Sequence, residues 1–276
     1  MLGRLKKMTS QLTQPVSYQL VLTETLIDLN SFIGQAIKLT YTGQIFCLHC
    51  NKKTKKSFNQ GACYGCFIHL AQCDLCMLKP ETCHYAKGTC REPNWAQEFC
   101  FQPHIVYLAN ASALKVGITR KTQIPTRWID QGASQALPIL QASSRYISGL
   151  AEIALAQHVS DKTNWQQMLK NVPFALDLKA EALRLLTLVH SELTQIRQQF
   201  GEHSLLLLEK EPVVSLDFPV TVYPSKVKSF NLDKVPEVSG ILQGIKGQYL
   251  LLDTGVINLR KFSGYEVEFK VVEEKP

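Results

Sequence analysis

The chain has 276 residues, 45% of them hydrophobic and 19% charged, and carries a formal net charge of +7. That composition suits an ordinary soluble protein with a real core and room for two or three domains. No apolar run approaches the roughly 18 residues a spanning helix needs, and the start, Met1 to Met8, lacks the apolar stretch of a secretory signal, so no membrane partner and a cytoplasmic location are expected.

Residues 1–46 read as a small β element. Val16, Tyr18, Leu20 and Leu22 alternate with their neighbours, as do Ile37, Leu39 and Tyr41, which is the period of half-buried strands. The segment Asp28 to Gly34 reads as their connection.

Residues 47–103 form a cysteine-rich region that holds all nine cysteines of the chain. In a reducing compartment such a cluster points to metal, and the odd count argues against a fully paired disulfide framework. Cys47 and Cys50 are separated by two residues, as are Cys63 and Cys66, with twelve residues between the pairs. A tight turn at each pair aims both sulfurs at one ion, and two such turns complete a tetrahedral thiolate shell, so this stretch predicts a structural Zn2+ of the zinc-ribbon kind. Four buried free thiols or a redox pair are the duller alternatives. The arm between the pairs carries Lys52, Lys53, Lys55 and Lys56 beside Phe58. It could lie along phosphates or be a solvated loop.

Further on, Cys73, Cys76, Cys83 and Cys90 offer a second zinc shell, in which His84, Cys100 or His104 could replace one ligand. Pro80, Gly88 and Pro93 predict a loop-rich module held by metal instead of by a large core.

Residues 104–175 open with two apolar runs, His104 to Leu108 and Leu114 to Thr119, split by a small polar linker; they predict a hairpin. A helical run from Ser144 to Ser160 follows, with Ile147, Leu150, Ala151, Ala154, Leu155 and His158 at three- and four-residue spacing. Arg127 and Glu152 thus lie close to an apolar frame. A short helix is expected from Asp161 to Lys170, ending near Pro173.

The order Ile105-Val106-Tyr107, then Lys115-Val116-Gly117-Ile118-Thr119, then Arg127, then Glu152 on a helix, resembles the GIY-YIG nuclease superfamily, in particular the branch whose second motif reads Lys-Ile-Gly-x-Thr. Ile105 and Lys115 depart from the strict pattern, standing where its first glycine and second tyrosine would be. The resemblance implies an α+β fold: a small antiparallel sheet with flanking helices, here preceded by the cysteine modules and flanked by small β elements at both ends. It also implies a site of Tyr107, Lys115, Arg127 and Glu152, with Glu152 holding Mg2+ or Mn2+. Arg127 would neutralise phosphate charge, Tyr107 would position or deprotonate the attacking water, and Lys115 would add positive charge near the phenol. Asp130, Gln131, Arg145 and Tyr146 are close enough in sequence to line the same cleft. The whole sequence also looks like a family of bacterial proteins known only as a domain of unknown function.

Residues 176–202 predict a long helix from an Asp177 cap to Gly201, on which His190 reads as a packed histidine. Residues 203–276 turn to short strands again: Val213 to Leu216, Val220 to Val222, Val238 to Leu242, Tyr249 to Leu252, Val256 to Leu259 and Tyr265 to Val271. They suggest a small barrel or sandwich, or strands that complete one sheet with residues 1 to 45.

Three functions fit these observations: a metal-dependent endonuclease acting on DNA or RNA, a zinc-containing nucleic-acid-binding protein that does not cleave, and an adaptor whose zinc modules bind protein. A net positive charge favours the polyanionic partner but decides little alone.

Overall fold

The computed structural model describes residues 1–159, 164–171 and 176–272. The chain is α+β, built from small antiparallel sheets with helices against them. The first sheet joins both ends of the sequence. Its long strand Ala36–Phe46 lies between Glu237–Lys246 and Tyr265–Val272, and Leu2–Arg4 pairs on the outer side of the latter. Tyr249–Leu252 and Gly255–Asn258 continue the other side. The C-terminal strands therefore complete a sheet with the N-terminal one instead of closing a barrel by themselves. Phe269 and Val271 face Leu39 and Ile37 in register. Val220 makes only an isolated bridge to Gly244, not the expected strand. A second small sheet, Thr9–Gln11, Ser17–Leu22 and Thr25–Asp28, buries Tyr18, Leu20 and Leu22 in the same core.

The central sheet is the frame of the site. His104–Asn110 and Leu114–Arg120 pair as a hairpin, with Tyr107 opposite Gly117. Alternation sends Ile105, Tyr107 and Ala109 into the core shared with the terminal strands. Val106 and Leu108 go to a second core, under the helices. A third strand, Gln135–Ala142, lies on the other side of His104–Asn110. Its sequence gives a poor strand signal because Pro138 cannot donate to a ladder. The sheet accommodates it: the register slips between Val106 and Tyr107, so that Tyr107 faces Pro138 while Val106 faces Leu140. On the far edge two short strands, Leu205–Leu207 and Val214–Ser215, pair on either side of Pro138.

The helix Arg145–Ala156 starts at Ser144, whose hydroxyl accepts the Ile147 N–H at 3.3 Å. It buries Ile147, Ala151, Ala154 and Leu155 against the sheet and ends before His158, which is exposed. The start of the next expected helix at Asp161 and its stop at Pro173 lie outside the described residues; its observed part is Trp165–Lys170. Asp177 caps the following helix through the N–H groups of Lys179 and Ala180. The long helix expected to Gly201 is broken at Val189 into Leu178–Leu188 and His190–Phe200. Val189 is itself buried, and His190 at the break is exposed, not packed.

Lys246 gives a test of this packing. It is 2% exposed, donates to the Asn171 Oδ1 at 2.8 Å and lies over the Phe218 and Tyr223 rings. Burial pushes its pKa down from 10.5 to about 8. Between those values the unfolded chain binds more protons than the folded one, so this lysine adds stability as pH rises through the window. Below it the buried charge is a cost. Lys246→Met is expected to be more stable than the native chain by on the order of 1–2 kcal/mol at pH 7, the advantage vanishing by pH 10.5 in denaturant titrations. A constant advantage across that range would show that the charge is not what limits stability.

Candidate functional site

Four cysteines converge at the end of the long N-terminal strand. Cys47 follows directly on Ala36–Phe46, and Lys53–Thr54 turns back to pair with Ile45 and Phe46. This hairpin brings Cys50 round to Cys63, whose Sγ lies 3.7 Å away. Cys63 caps the short helix Tyr64–His69, which carries Cys66. The ligand atoms of Cys47, Cys50, Cys63 and Cys66 all lie within 4.8 Å of one another, so the four could hold a metal ion. Burial would push the Cys47 thiol up, but the N–H groups of Cys50, Cys63 and His49 outweigh it and hold the group at about 6. Burial and the neighbouring thiols push Cys66 up. One thiol held low beside another, Cys66, held high suits a set of soft ligands whose charge a cation would balance. The four lysines of the arm are all exposed.

The second group of cysteines sorts differently from its spacing. Cys76, Cys83 and Cys90 line one small cavity together with Cys100, whereas Cys73 borders a larger cleft. His104 is fully buried and does not line that cavity; its Nδ1 pairs with the Gln102 carbonyl at 2.7 Å.

The central residues meet around Tyr107. Its ring is completely buried and its hydroxyl donates to the Gln131 Oε1 at 2.7 Å. A Cβ on Gly117 would lie 2.7 Å from both the Tyr107 Cζ and its hydroxyl oxygen. Glycine is required there by that close approach. Trp128 packs edge-on to the same ring at 6.0 Å. Burial pushes the Tyr107 phenol up to about 12, although the Arg127 guanidinium beside it pulls the other way. Glu152, half-buried, is raised to about 7 by burial, against the attraction of Arg145, Arg127 and Lys115, while Glu81 adds repulsion. Tyr107, Lys115, Arg127 and Glu152 thus share one electrostatic neighbourhood. Gly117→Ala is expected to displace the Tyr107 ring and cost roughly 1–3 kcal/mol; an unchanged melting temperature and near-ultraviolet circular dichroism would show that the contact is dispensable.

Beside this group opens a cleft of about 770 Å³, bordered by Arg91, Arg120, Arg127, Arg145 and Arg260, with Asp74 the one acidic residue on its border among the described residues. Of these only Arg127 and Arg145 were suggested by the sequence. Arg91 and Arg260 come from remote segments, Arg120 ends the hairpin strand Leu114–Arg120, and no local signal marks them. The remaining neighbours divide. Gln131 and Arg145 join the site, Tyr146 packs against Phe200 at 5.9 Å, and Asp130 turns to the terminal layer. There it pairs with Lys7, accepts from the Gln248 Nε2 at 2.9 Å and stands 4.0 Å from Arg260.

A protein-family model described as "Protein of unknown function (DUF2797)" matches residues 34–267. The chain belongs to that family. The match spans the cysteine cluster, the central sheet and most of the terminal sheet. No curated protein and no solved structure matches. No helix among the described residues is long and apolar enough to cross a membrane.

Proposed function

We propose that the chain is a nucleic-acid-binding protein whose central sheet carries a metal-dependent phosphodiesterase site of GIY-YIG type. The observation that supports this best is the meeting of Tyr107, Gly117, Arg127 and Glu152 in one neighbourhood, from which Arg127 reaches the border of an arginine-lined cleft. Five guanidinium groups against one carboxylate suit a phosphodiester backbone, and their planar forks suit its oxygens.

Glu152 is the residue to hold Mg2+ or Mn2+. Its carboxylate oxygens are the hard donors these ions take, and the nearby Glu81 supplies a second negative charge. Bound there, the ion would stabilise charge on a phosphate oxygen and its leaving group. Arg127 neutralises the phosphate as negative charge builds, with Lys115 adding to the field. Tyr107 has no exposure and its hydroxyl is already engaged by Gln131. In this reading it fixes Arg127 and Gln131 in place and does not take a proton from water. The Cys47, Cys50, Cys63, Cys66 cluster holds a structural zinc, whose closed thiolate shell keeps the lysine arm presented to the substrate. Nine cysteines outside any disulfide suit a reducing compartment, and we place the protein in the cytoplasm.

The burial of Tyr107 and the lysine at 115 also favour a second reading, in which the same cleft binds a polynucleotide without cutting it. A panel of labelled single-stranded, duplex and branched DNA and RNA, with Mg2+ or Mn2+, separates the two. The native protein is expected to cut at least one substrate and Glu152→Ala to do so about 100-fold more slowly or not at all. If neither cuts while both bind with a steep salt dependence, the non-cleaving reading stands. If neither binds, both fall.

A further inference from the structure

Two unlike sets of side chains border the arginine-lined cleft. The central residues supply Arg120, Arg127 and Arg145. The cysteine-rich region supplies mostly uncharged groups: Leu75, Met77 and Leu78 are apolar, and Asn59, Gln60 and Gln72 are carboxamides. A site that recognised phosphate alone would have no use for this second set.

The apolar part is exposed where packing gives no reason for it. Leu75 is 57% exposed and Leu78 78%. They begin and cap one 3-10 turn, Leu75–Met77, whose repeat places residues three apart over the same side. Large apolar side chains left together in water mark a contact surface. The carboxamides are partly fixed. The Asn59 Nδ2 donates to the Gln72 carbonyl at 3.3 Å, and the Gln72 Nε2 pairs with the His49 Nδ1 at 3.0 Å, with His49 on the same border. Each amide is thus held by its nitrogen, which turns its oxygen to an incoming donor. The amino groups on the edges of adenine, cytosine and guanine are such donors.

The cations are unequally engaged. Arg145 donates through Nη2 to the Met77 carbonyl at 2.6 Å, Arg91 through Nε to Asp74 at 2.7 Å, and Arg260 through Nε to the Gln60 Oε1 at 2.5 Å. The Arg120 guanidinium lies over the Phe99 ring at 4.9 Å, an arrangement that leaves its N–H edge open.

We propose that the cleft takes a single strand, its phosphates on Arg120 and Arg127 and its bases on the leucines and carboxamides of the cysteine-rich region. This rests on the polynucleotide-binding reading above and names the form of its substrate. A duplex shows a concave surface only its phosphates, because its base edges lie in grooves that a protein enters with a projecting helix or ribbon. An unpaired strand can turn its bases onto apolar faces and hydrogen-bonding edges while its backbone stays on the cations. The turn that carries Cys47 and Cys50 also carries His49, so the thiol cluster sets the position of the base-contacting side.

The test is binding by the full chain, with its native metal and no added divalent ion, of three short fluorescent probes at one salt concentration: a single strand of mixed sequence, the same strand annealed to its complement, and an abasic strand with the same number of phosphates. The intact single strand is expected to bind at least about 10-fold more tightly than either of the others, the effect of losing one base contact. Leu75→Ser combined with Leu78→Ser should weaken single-strand binding by about 10-fold and leave duplex binding and the melting temperature unchanged, since both side chains are exposed. Arg120→Ala should weaken the intact and abasic strands alike and lower the salt dependence by about one phosphate contact. The comparison of probes on the native chain requires no variant to fold. A duplex or an abasic strand bound as tightly as the intact single strand, or a leucine variant that binds it as the native chain does, would overturn the proposal and leave polynucleotide binding standing. Absence of salt-dependent binding to every probe would instead remove the reading on which the proposal rests, and the proposal with it.

Discussion

Cys50→Ser is expected to lower the melting temperature by at least roughly 10 °C, and a strong chelator to do the same to the native chain. Cys50 is exposed, so exchanging its sulfur for oxygen removes almost no packing and the loss reports the metal shell. Without an ion, four sulfurs lie within 4.8 Å of one another at the end of the strand Ala36–Phe46. Either their charges repel or protons must neutralise them, and the short Lys53–Thr54 pairing is left to backbone bonds such as that from the Cys47 N–H to the Lys52 carbonyl at 2.9 Å. Structural zinc contributes about 10–16 kcal/mol to the folding of small modules in isolation. In a larger chain only part of this reaches the global transition, which is why the expected shift is stated as a lower bound. A native protein that holds no zinc and melts at the same temperature with and without chelator would remove the structural ion from the proposal.

Asp130→Ala should cost on the order of 3–5 kcal/mol and, if the proposed polynucleotide binding holds, weaken that binding as well. The Asp130 side chain is 4% exposed; it pairs with Lys7 from the start of the chain, accepts from Gln248 and stands 4.0 Å from the Arg260 guanidinium, both near its end. Truncation leaves two cations and an amide near the core without the charge that drew them there. Arg260 borders the cleft, so its release should also flatten the dependence of binding on salt by about one phosphate contact. Asp130→Asn keeps an acceptor for Gln248 but not the charge, and is expected to fall between. Chemical denaturation measures the first effect and binding across a salt series the second. A variant with native stability would mean that the three partners find water at no cost, and the bridge between the layers would lose its importance.

How much of this was legible in the residues depends on how far each feature reaches along the chain. The pairs Cys47 and Cys50, and Cys63 and Cys66, are readable because two intervening residues form one local turn. The cap at Asp177 is readable for the same reason, since it satisfies N–H groups two and three residues on. The hairpin carrying Tyr107 and Gly117 follows from alternation across a short linker. Even the glycine at 117 has a local cause, the tyrosine directly opposite it. Other features had no such signal. The strand Gln135–Ala142 is hidden by Pro138 and exists because a register slip and two separate edge strands make room for a residue without an N–H. The break at Val189 falls inside a continuous helical pattern.

What the sequence by itself determined is therefore the set of parts: thiol pairs, a Tyr–Gly hairpin, an α+β alternation, and charges in a suggestive order. What only the tertiary structure decided is which parts meet. It put Ala36–Phe46 between strands some two hundred residues further on, gathered arginines from five segments at one cleft, and set Cys100 at the cavity from which Cys73 is turned away. The physical reason is one of range. Turns, caps and alternation are fixed by steric and hydrogen-bonding rules acting over a few residues. The burial of apolar surface is non-directional and acts between any segments that can be brought together, so its outcome is written in no single stretch of the chain.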